Sequence, residues 1–427
     1  MKHLNLGTYI NILSIFVGII SIILTIRTNP VWEVIIIALM IGLIIGLIFH
    51  KFLHWFTNQP WFIAWLSWLS INQPIIESLG RENEIYQIAN RIRTGESSAI
   101  IGLFREEKVS ILKTFQDKTQ QQNFYGERAG ELVFSYLDVA GDLPKRCTPS
   151  QFWKKALSPL KKKISHNPDW NNLRNKYKES EENQFKNESL RELIDEIGEV
   201  NKQLVLIIDR FDGILNFPQL KQTTFLAGFR TLAYRSNPLI LIVTAKISLT
   251  EFRRKTEHLS PDGSAFLNFI EGFGEYILGA TLTETQVDTL IQEHFSFNEK
   301  NDCQFIKEYA NHHPYFLQLA ANCLQHAYQN KQKDPLQTAK EEFFRMLEER
   351  LTAILKFWPD NICKAFISVA KNYDLSIFFE GELEELRKLD IIKKKDNQWQ
   401  VSCPICLEWI KSKTEPELKK LCQKQNK

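Results

Sequence analysis

Two stretches of this chain hold residue types at spacings that could handle phosphate. In the first, Ser98-Ala99-Ile100-Ile101-Gly102 is a short apolar strand ending in glycine. Leu103-Phe104-Arg105-Glu106-Glu107-Lys108-Val109-Ser110 follows and opens a helix. In such a strand–loop–helix turn, backbone N–H groups cradle phosphate, a lysine reaches the terminal phosphates, and the next hydroxyl binds magnesium. Gly102 and Lys108 keep the required spacing, but Glu107 stands where the second glycine belongs and Val109 where the hydroxyl belongs. Ser110 comes one residue late, about 100° around the helix. In the second stretch, Gln203 to Asp212 reads as a buried parallel strand ending in the carboxylates Asp209 and Asp212, the first of which would orient magnesium. The next position, often a glutamate that activates water, is Arg210.

These departures alter the expected chemistry. A carboxylate at Glu107 beside a triphosphate is a like-charge contact, costing about 4 kcal/mol at 4 Å in an effective dielectric near 20. Arg105 or Arg210 could offset that charge, and Glu107 is expected to pair with Lys108 or Arg210, a Glu107–Arg210 pair replacing nucleotide. The candidate nucleotide-binding residues are therefore Gly102, Arg105, Lys108 and Ser110, with Asp209 and Asp212 as the carboxylates of the second strand. ATP and magnesium are the cofactors such a site would take. The expectation is a degenerate site that does not hydrolyse ATP, with no separate metal centre.

The elements that must position these residues are of two kinds. From Met1 to Ile76 the formal charges are Lys2, Arg27, Glu33 and Lys51, and all others lie from Glu77 onward. Two apolar runs, 8–26 and 31–49, are joined by Arg27-Thr28-Asn29-Pro30. At about 1.5 Å per residue each spans about 28 Å, which matches the hydrocarbon thickness. The runs predict a transmembrane hairpin, with Gly42 and Gly46 at a spacing that allows close helix packing. Trp55, Trp61, Trp65 and Trp68 place residues 52–77 at the membrane interface. The lipid bilayer is the expected partner, and the bulk of the chain is expected in the cytoplasm.

The soluble part resembles the AAA-like ATPase domains of the STAND class, near their archaeal-type branch. The resemblance rests on LGRENEI at 79–85, GLFREEKVS at 102–110, FSYLDV at 134–139 with TPSQFW at 148–153, and LIIDRFD at 206–212. It also rests on Phe229 to Ala233, PLILIVTA at 238–245, an SPxxxxFxNxF-like element at 260–269 and PYFLQ at 314–318. It implies an α/β P-loop NTPase fold, a parallel sheet with flanking helices, over 78–280. A helical lid over 281–350 and a winged-helix-like domain over 351–427 would follow. Such proteins act as signalling switches, scaffolds or membrane-directed defence effectors, so self-association or a protein partner is expected.

Other features carry less chemistry. The polar stretch 154–202, with Lys161-Lys162-Lys163, reads as a solvated helical insertion or flap. His312-His313-Pro314 reads as a helix cap, because adjacent residues point apart and chelate poorly. The seven cysteines show no framework and are expected to be reduced, with Cys403 and Cys406 as partly buried thiols on a late strand or turn. Lys393-Lys394-Lys395 is expected at a wing tip. A net charge of +3 makes no case for nucleic acid, and no nucleic-acid partner is expected. An active membrane-bound ATPase and a membrane-tethered DNA-binding regulator are the alternative readings.

Overall fold

Ile85, Ile88, Ala89 and Ile92 recur at the spacing of one helix face, and helix α1 (Glu82–Thr94) buries all four. Gly95, left-handed at φ 79°, ends the helix by donating its N–H to the Arg91 and Ile92 carbonyls. The computed structural model describes residues 80–235, 238–259, 272–279, 282–295, 300–310, 312–375 and 380–422. The expected spans 8–26 and 31–49, the tryptophan-rich segment 52–77 and the element at 260–269 lie outside the described residues. Among the described residues, no helix is long and apolar enough to cross a membrane.

After α1 the chain lays down β1 (Ser98–Ile101), β2 (Leu132–Asp138), β3 (Gln203–Asp209), β4 (Leu239–Ala245) and β5 (Gly274–Ile277). They form one sheet in the order β2-β3-β4-β1-β5, and every neighbouring pair is parallel. Parallel strands are covered on both faces, which is why β3 and β4 read as unbroken apolar runs. One face packs Ile100, Val205, Ile207, Ile240 and Ile242 against α1 and against Ile111, Leu112 and Phe115 of α2 (Arg105–Gln116). The short helix α3 (Lys118–Tyr125) adds Tyr125 to that core. Because β1 lies between β4 and β5, while the chain leaves β1 for the far edge at β2, the sheet reverses its winding at β1. The carboxyl ends of strands at such a reversal are where α/β proteins hold ligands.

Between β2 and β3 come α4 (Pro149–Ala156), α5 (Ser158–Ser165), α6 (Asn171–Glu182) and α7 (Asn187–Glu199). A reciprocal capping box between Thr148 and Gln151, with Pro149 in the first turn, starts α4. The expectation of a helical insertion over 154–202 holds, but its solvated character is corrected here. Leu160, Leu173, Leu190, Leu193, Ile194 and Ile197 are fully buried, and α7 packs on β3. The charges mislead because they sit on the outer faces of amphipathic helices. Lys161 pairs with Glu181 at 2.7 Å, and Lys163 donates to the Leu132 carbonyl at 3.3 Å.

Beyond β3 lie α8 (Thr223–Arg235) and, after β4, α9 (Leu249–Thr256). A helical group follows β5: α10 (Glu284–His294), α11 (Lys300–Ala310), α12 (Pro314–Gln329) and α13 (Pro335–Phe357). His313 caps α12 by accepting the Tyr315 N–H at 3.2 Å, so the capping role expected of it is the one it has. The C-terminal module runs α14 (Asp360–Lys371), α15 (Glu380–Lys388), β6 (Ile392–Lys395), β7 (Gln398–Val401), α16 (Pro404–Ser412) and α17 (Glu415–Cys422). β6 and β7 form an antiparallel hairpin. Lys393, Lys394 and Lys395 are strand residues; the tip is Asp396-Asn397, both at positive φ.

Two cysteine expectations also change. Cys403 and Cys406 open helix α16 instead of lying on a strand or turn. Cys363 and Cys422 form a disulfide, so the thiols are not all reduced. Their separation of 59 residues shows no pattern in the sequence, and the packing of α17 on α14 brings them together. Closing a loop of that length removes about 4 kcal/mol of chain entropy from the unfolded state. Cys363→Ser is expected to lose up to about that amount in urea unfolding, and a reductant should cost the wild type the same.

Candidate functional site

The turn after β1 is short. Gly102, Leu103 and Phe104 alone separate the strand from α2, whose helical backbone already includes Arg105, Glu106, Glu107 and Lys108. A phosphate-cradling loop wraps the N–H groups of the residues before the lysine around an anion. Here most of that wrap is taken up in a helical turn. Lys108 is buried, and its Nζ donates to the Gly102 carbonyl and, at 3.4 Å, to the Phe104 carbonyl. Burial pulls the Lys108 ammonium down to about 8, against the pull of Asp212 and Asp209.

Glu107 is 6 % exposed, and neither Lys108 nor Arg210 is its partner. Arg81, only 2 % exposed, reaches it from the start of α1 at 2.9 Å. The same guanidinium nitrogen donates to the Gly279 carbonyl at 2.8 Å, and its neighbour meets Glu84 at 3.2 Å. His313 Nδ1 lies 3.8 Å from Glu107. Burial drives His313 down to about 4, Glu107 opposing and Arg81 assisting, so the ring is neutral near pH 7. Two further contacts fix the turn from outside. Glu106 pairs with Arg350 of α13 at 2.6 Å, and the Phe104 ring stacks on Tyr315 with centroids 4.0 Å apart.

The carboxylates at the strand ends are also engaged. The β2–β3 register sets Asp138 directly beside Asp209, a like-charge contact that must be relieved. Arg210 does so with a two-pronged grip on Asp138, one bond at 2.7 Å. Arg105 adds a bond to Asp138 at 3.0 Å and stands 3.8 Å from Asp209. The expected Glu107–Arg210 pair is thereby corrected: the left-handed backbone at Arg210, φ 59°, turns its side chain toward β2. Asp209 is fully buried, with one oxygen taken by the Thr244 hydroxyl and the other by the Tyr136 hydroxyl at 3.1 Å. Asp212 accepts the Lys246 N–H at 3.2 Å, and burial raises its carboxyl against the pull of Lys108.

Gly102, Lys108, Asp209 and Asp212 thus converge at the carboxyl end of the sheet, with Arg105 at its rim. Ser110 is buried on α2, one residue past the hydroxyl position. Sequence reasoning missed Arg81, Asp138, Tyr136, Thr244 and Arg350. Arg81, Tyr136, Asp138 and Thr244 stand inside the segments 79–85, 134–139 and 238–245, but nothing local marks them as partners.

The residues present do not fit a magnesium–triphosphate. The glycine position holds a buried carboxylate already neutralised by Arg81. The position of the metal-binding hydroxyl holds Val109, which has none. Both oxygens of Asp209 are committed to hydroxyl groups.

Among solved structures, the chain is similar to the Walker-type ATPase PABY2304 of Pyrococcus abyssi. Identity is 16 %, over 78 % of this chain and 96 % of that one, at a TM-score of 0.50. The ORC2 protein of Aeropyrum pernix, solved in ADPNP–ADP complexes, is 12 % identical over 82 % and 95 % of the two chains, at a TM-score of 0.49. No family model matches the sequence, and no curated protein does. At such identities the first likeness speaks to fold alone. With the five-stranded parallel sheet and its flanking helices, it gives an α/β P-loop NTPase fold.

Two outcomes follow from the buried pair. Arg81→Met strands the Glu107 carboxylate in the interior and is expected to cost about 3–5 kcal/mol in urea unfolding. Adding Glu107→Gln should recover most of that loss. For His313, the unfolded ring takes its proton near 6.5 and the folded ring only near 4. Between those values the unfolded chain binds more protons, so stability falls as pH drops through that window. His313→Asn should flatten this part of a plot of unfolding midpoint against pH.

Proposed function

We propose that this chain is a membrane-anchored P-loop protein of the STAND type whose degenerate phosphate loop makes it a switch, scaffold or membrane-directed defence effector instead of a motor. The observation that carries the reading is the ion pair between Arg81 and Glu107. It supplies, from within the chain, the charge neutralisation that a phosphate site would take from its ligand. The self-satisfied grip of Arg210 and Arg105 on Asp138 supports the same reading. The anchor is read from the apolar runs 8–26 and 31–49. The helix, helix and hairpin order of 360–401 supports a winged-helix reading of the C-terminal module. In this reading, assembly of the soluble domain would gather the anchors.

Calorimetric titration of the full chain with ATP and magnesium tests the proposal. No saturable, magnesium-dependent binding is expected for the wild type. Binding should emerge in Glu107→Gly/Val109→Thr, with Arg81→Met added so that no buried guanidinium is left without its partner. Saturable wild-type binding that disappears in Lys108→Ala would establish the rival, a working membrane ATPase.

A further inference from the structure

The C-terminal module carries a pair of thiols that the reading above does not use. Cys403 is the N-cap of α16 and Cys406 sits one turn in, with Pro404 in the first turn between them. The Cys406 N–H donates to the Cys403 sulfur at 3.4 Å. Residues three apart on a helix share one face, so the two side chains are neighbours. Both are free cysteines and neither belongs to the Cys363–Cys422 bridge. They differ in exposure: Cys406 is buried, while Cys403 is partly open. Both line a cavity whose other walls include Phe104 from the turn after β1, Phe316 from α12 and Trp358.

The surroundings of the pair favour thiol–disulfide chemistry. The attacking species is a thiolate, and N–H groups at a helix start stabilise it. Burial alone would push the Cys403 thiol up. Hydrogen bonds from the Cys406 side chain and from the backbone of Cys406 and Ile405 outweigh it and hold Cys403 below its ordinary value. Cys406 moves the opposite way, first through its bond to Cys403 and then through burial. Cys147 and Cys323 lack such donors, and burial pushes both of them up, Cys147 to about 11.

We propose that Cys403 and Cys406 form a redox-active dithiol that closes reversibly into a disulfide at the start of α16. The oxidant is a low-molecular-weight disulfide such as oxidised glutathione. The Cys403 thiolate attacks one sulfur, an S–S bond breaks, and one glutathione thiolate leaves. Cys406, losing its proton to solvent, then attacks the Cys403 sulfur of the mixed disulfide and expels the second glutathione. Two thiols are oxidised, one disulfide is reduced, and two thiols are released.

The test uses the full chain in detergent, equilibrated at graded ratios of oxidised to reduced glutathione, with remaining thiols alkylated and mapped by mass spectrometry. The expected result is joint loss of alkylation at Cys403 and Cys406 in one two-electron transition, with the pair lighter by two hydrogens. In Cys406→Ser, a glutathione adduct should accumulate on Cys403; in Cys403→Ser, the adduct on Cys406 should be at least tenfold scarcer. Wild-type chain in which both thiols stay alkylatable across the whole range would overturn the proposal. Equal adducts in the two variants would also overturn it, as would oxidation confined to other cysteines. Should either variant fail to fold, native-state alkylation of wild-type Cys403 decides. A half-maximal rate below about pH 8.5 supports the proposal, and one at or above it does not.

Discussion

A carboxylate and a guanidinium shut away from water hold the centre of this molecule together. Removing two charges from solvent costs several kcal/mol per ion, and only close pairing with further hydrogen bonds returns that cost. Arg81 meets those terms by touching Glu107, Glu84 and the Gly279 carbonyl at once. It thereby ties α1, the first turn of α2 and the end of β5 into one body. Burial keeps His313 beside the pair neutral near pH 7, so the cap of α12 stays an acceptor. A turn that elsewhere would close around an anion is closed here by the chain's own side chains.

The same logic governs the strand ends. Setting Asp138 beside Asp209 in register creates a repulsion that two arginines and two hydroxyls relieve. Both oxygens of Asp138 and both of Asp209 take an internal donor. The acidic strand ends are thus held by internal contacts within an α/β P-loop fold.

Much of this outline was legible in the sequence because it depends on short-range periodicity. The buried face of α1, the strands ending at Ile101 and Asp209, and the helix start at Pro314 all follow from spacing of apolar residues and caps. Partner choice was not legible. Glu107 could be seen to need a cation, but Arg81 is 26 residues away and Arg210 had the more suggestive position. The left-handed backbone that turns Arg210 toward Asp138 leaves no local mark on composition. Four-residue β5 is only half-buried and too short to show alternation. The helices of 154–202 hid a core behind charged outer faces, and the Cys363–Cys422 bridge depends wholly on tertiary packing.

Helix α13 gives the architecture a mechanical property. Its 23 residues make a rod about 34 Å long. Arg350 on that rod holds Glu106, Glu348 holds Lys413, and Phe357 at its end lies beneath the Lys246 ammonium, 4.5 Å from ring centroid to nitrogen. One rigid strut, packed along α12, is thus also pinned to the first turn of α2, to the C-terminal module and to the residue after β4. A stiff bar cannot slide past one pin and leave the others seated, so a load on any one of them is shared by all three.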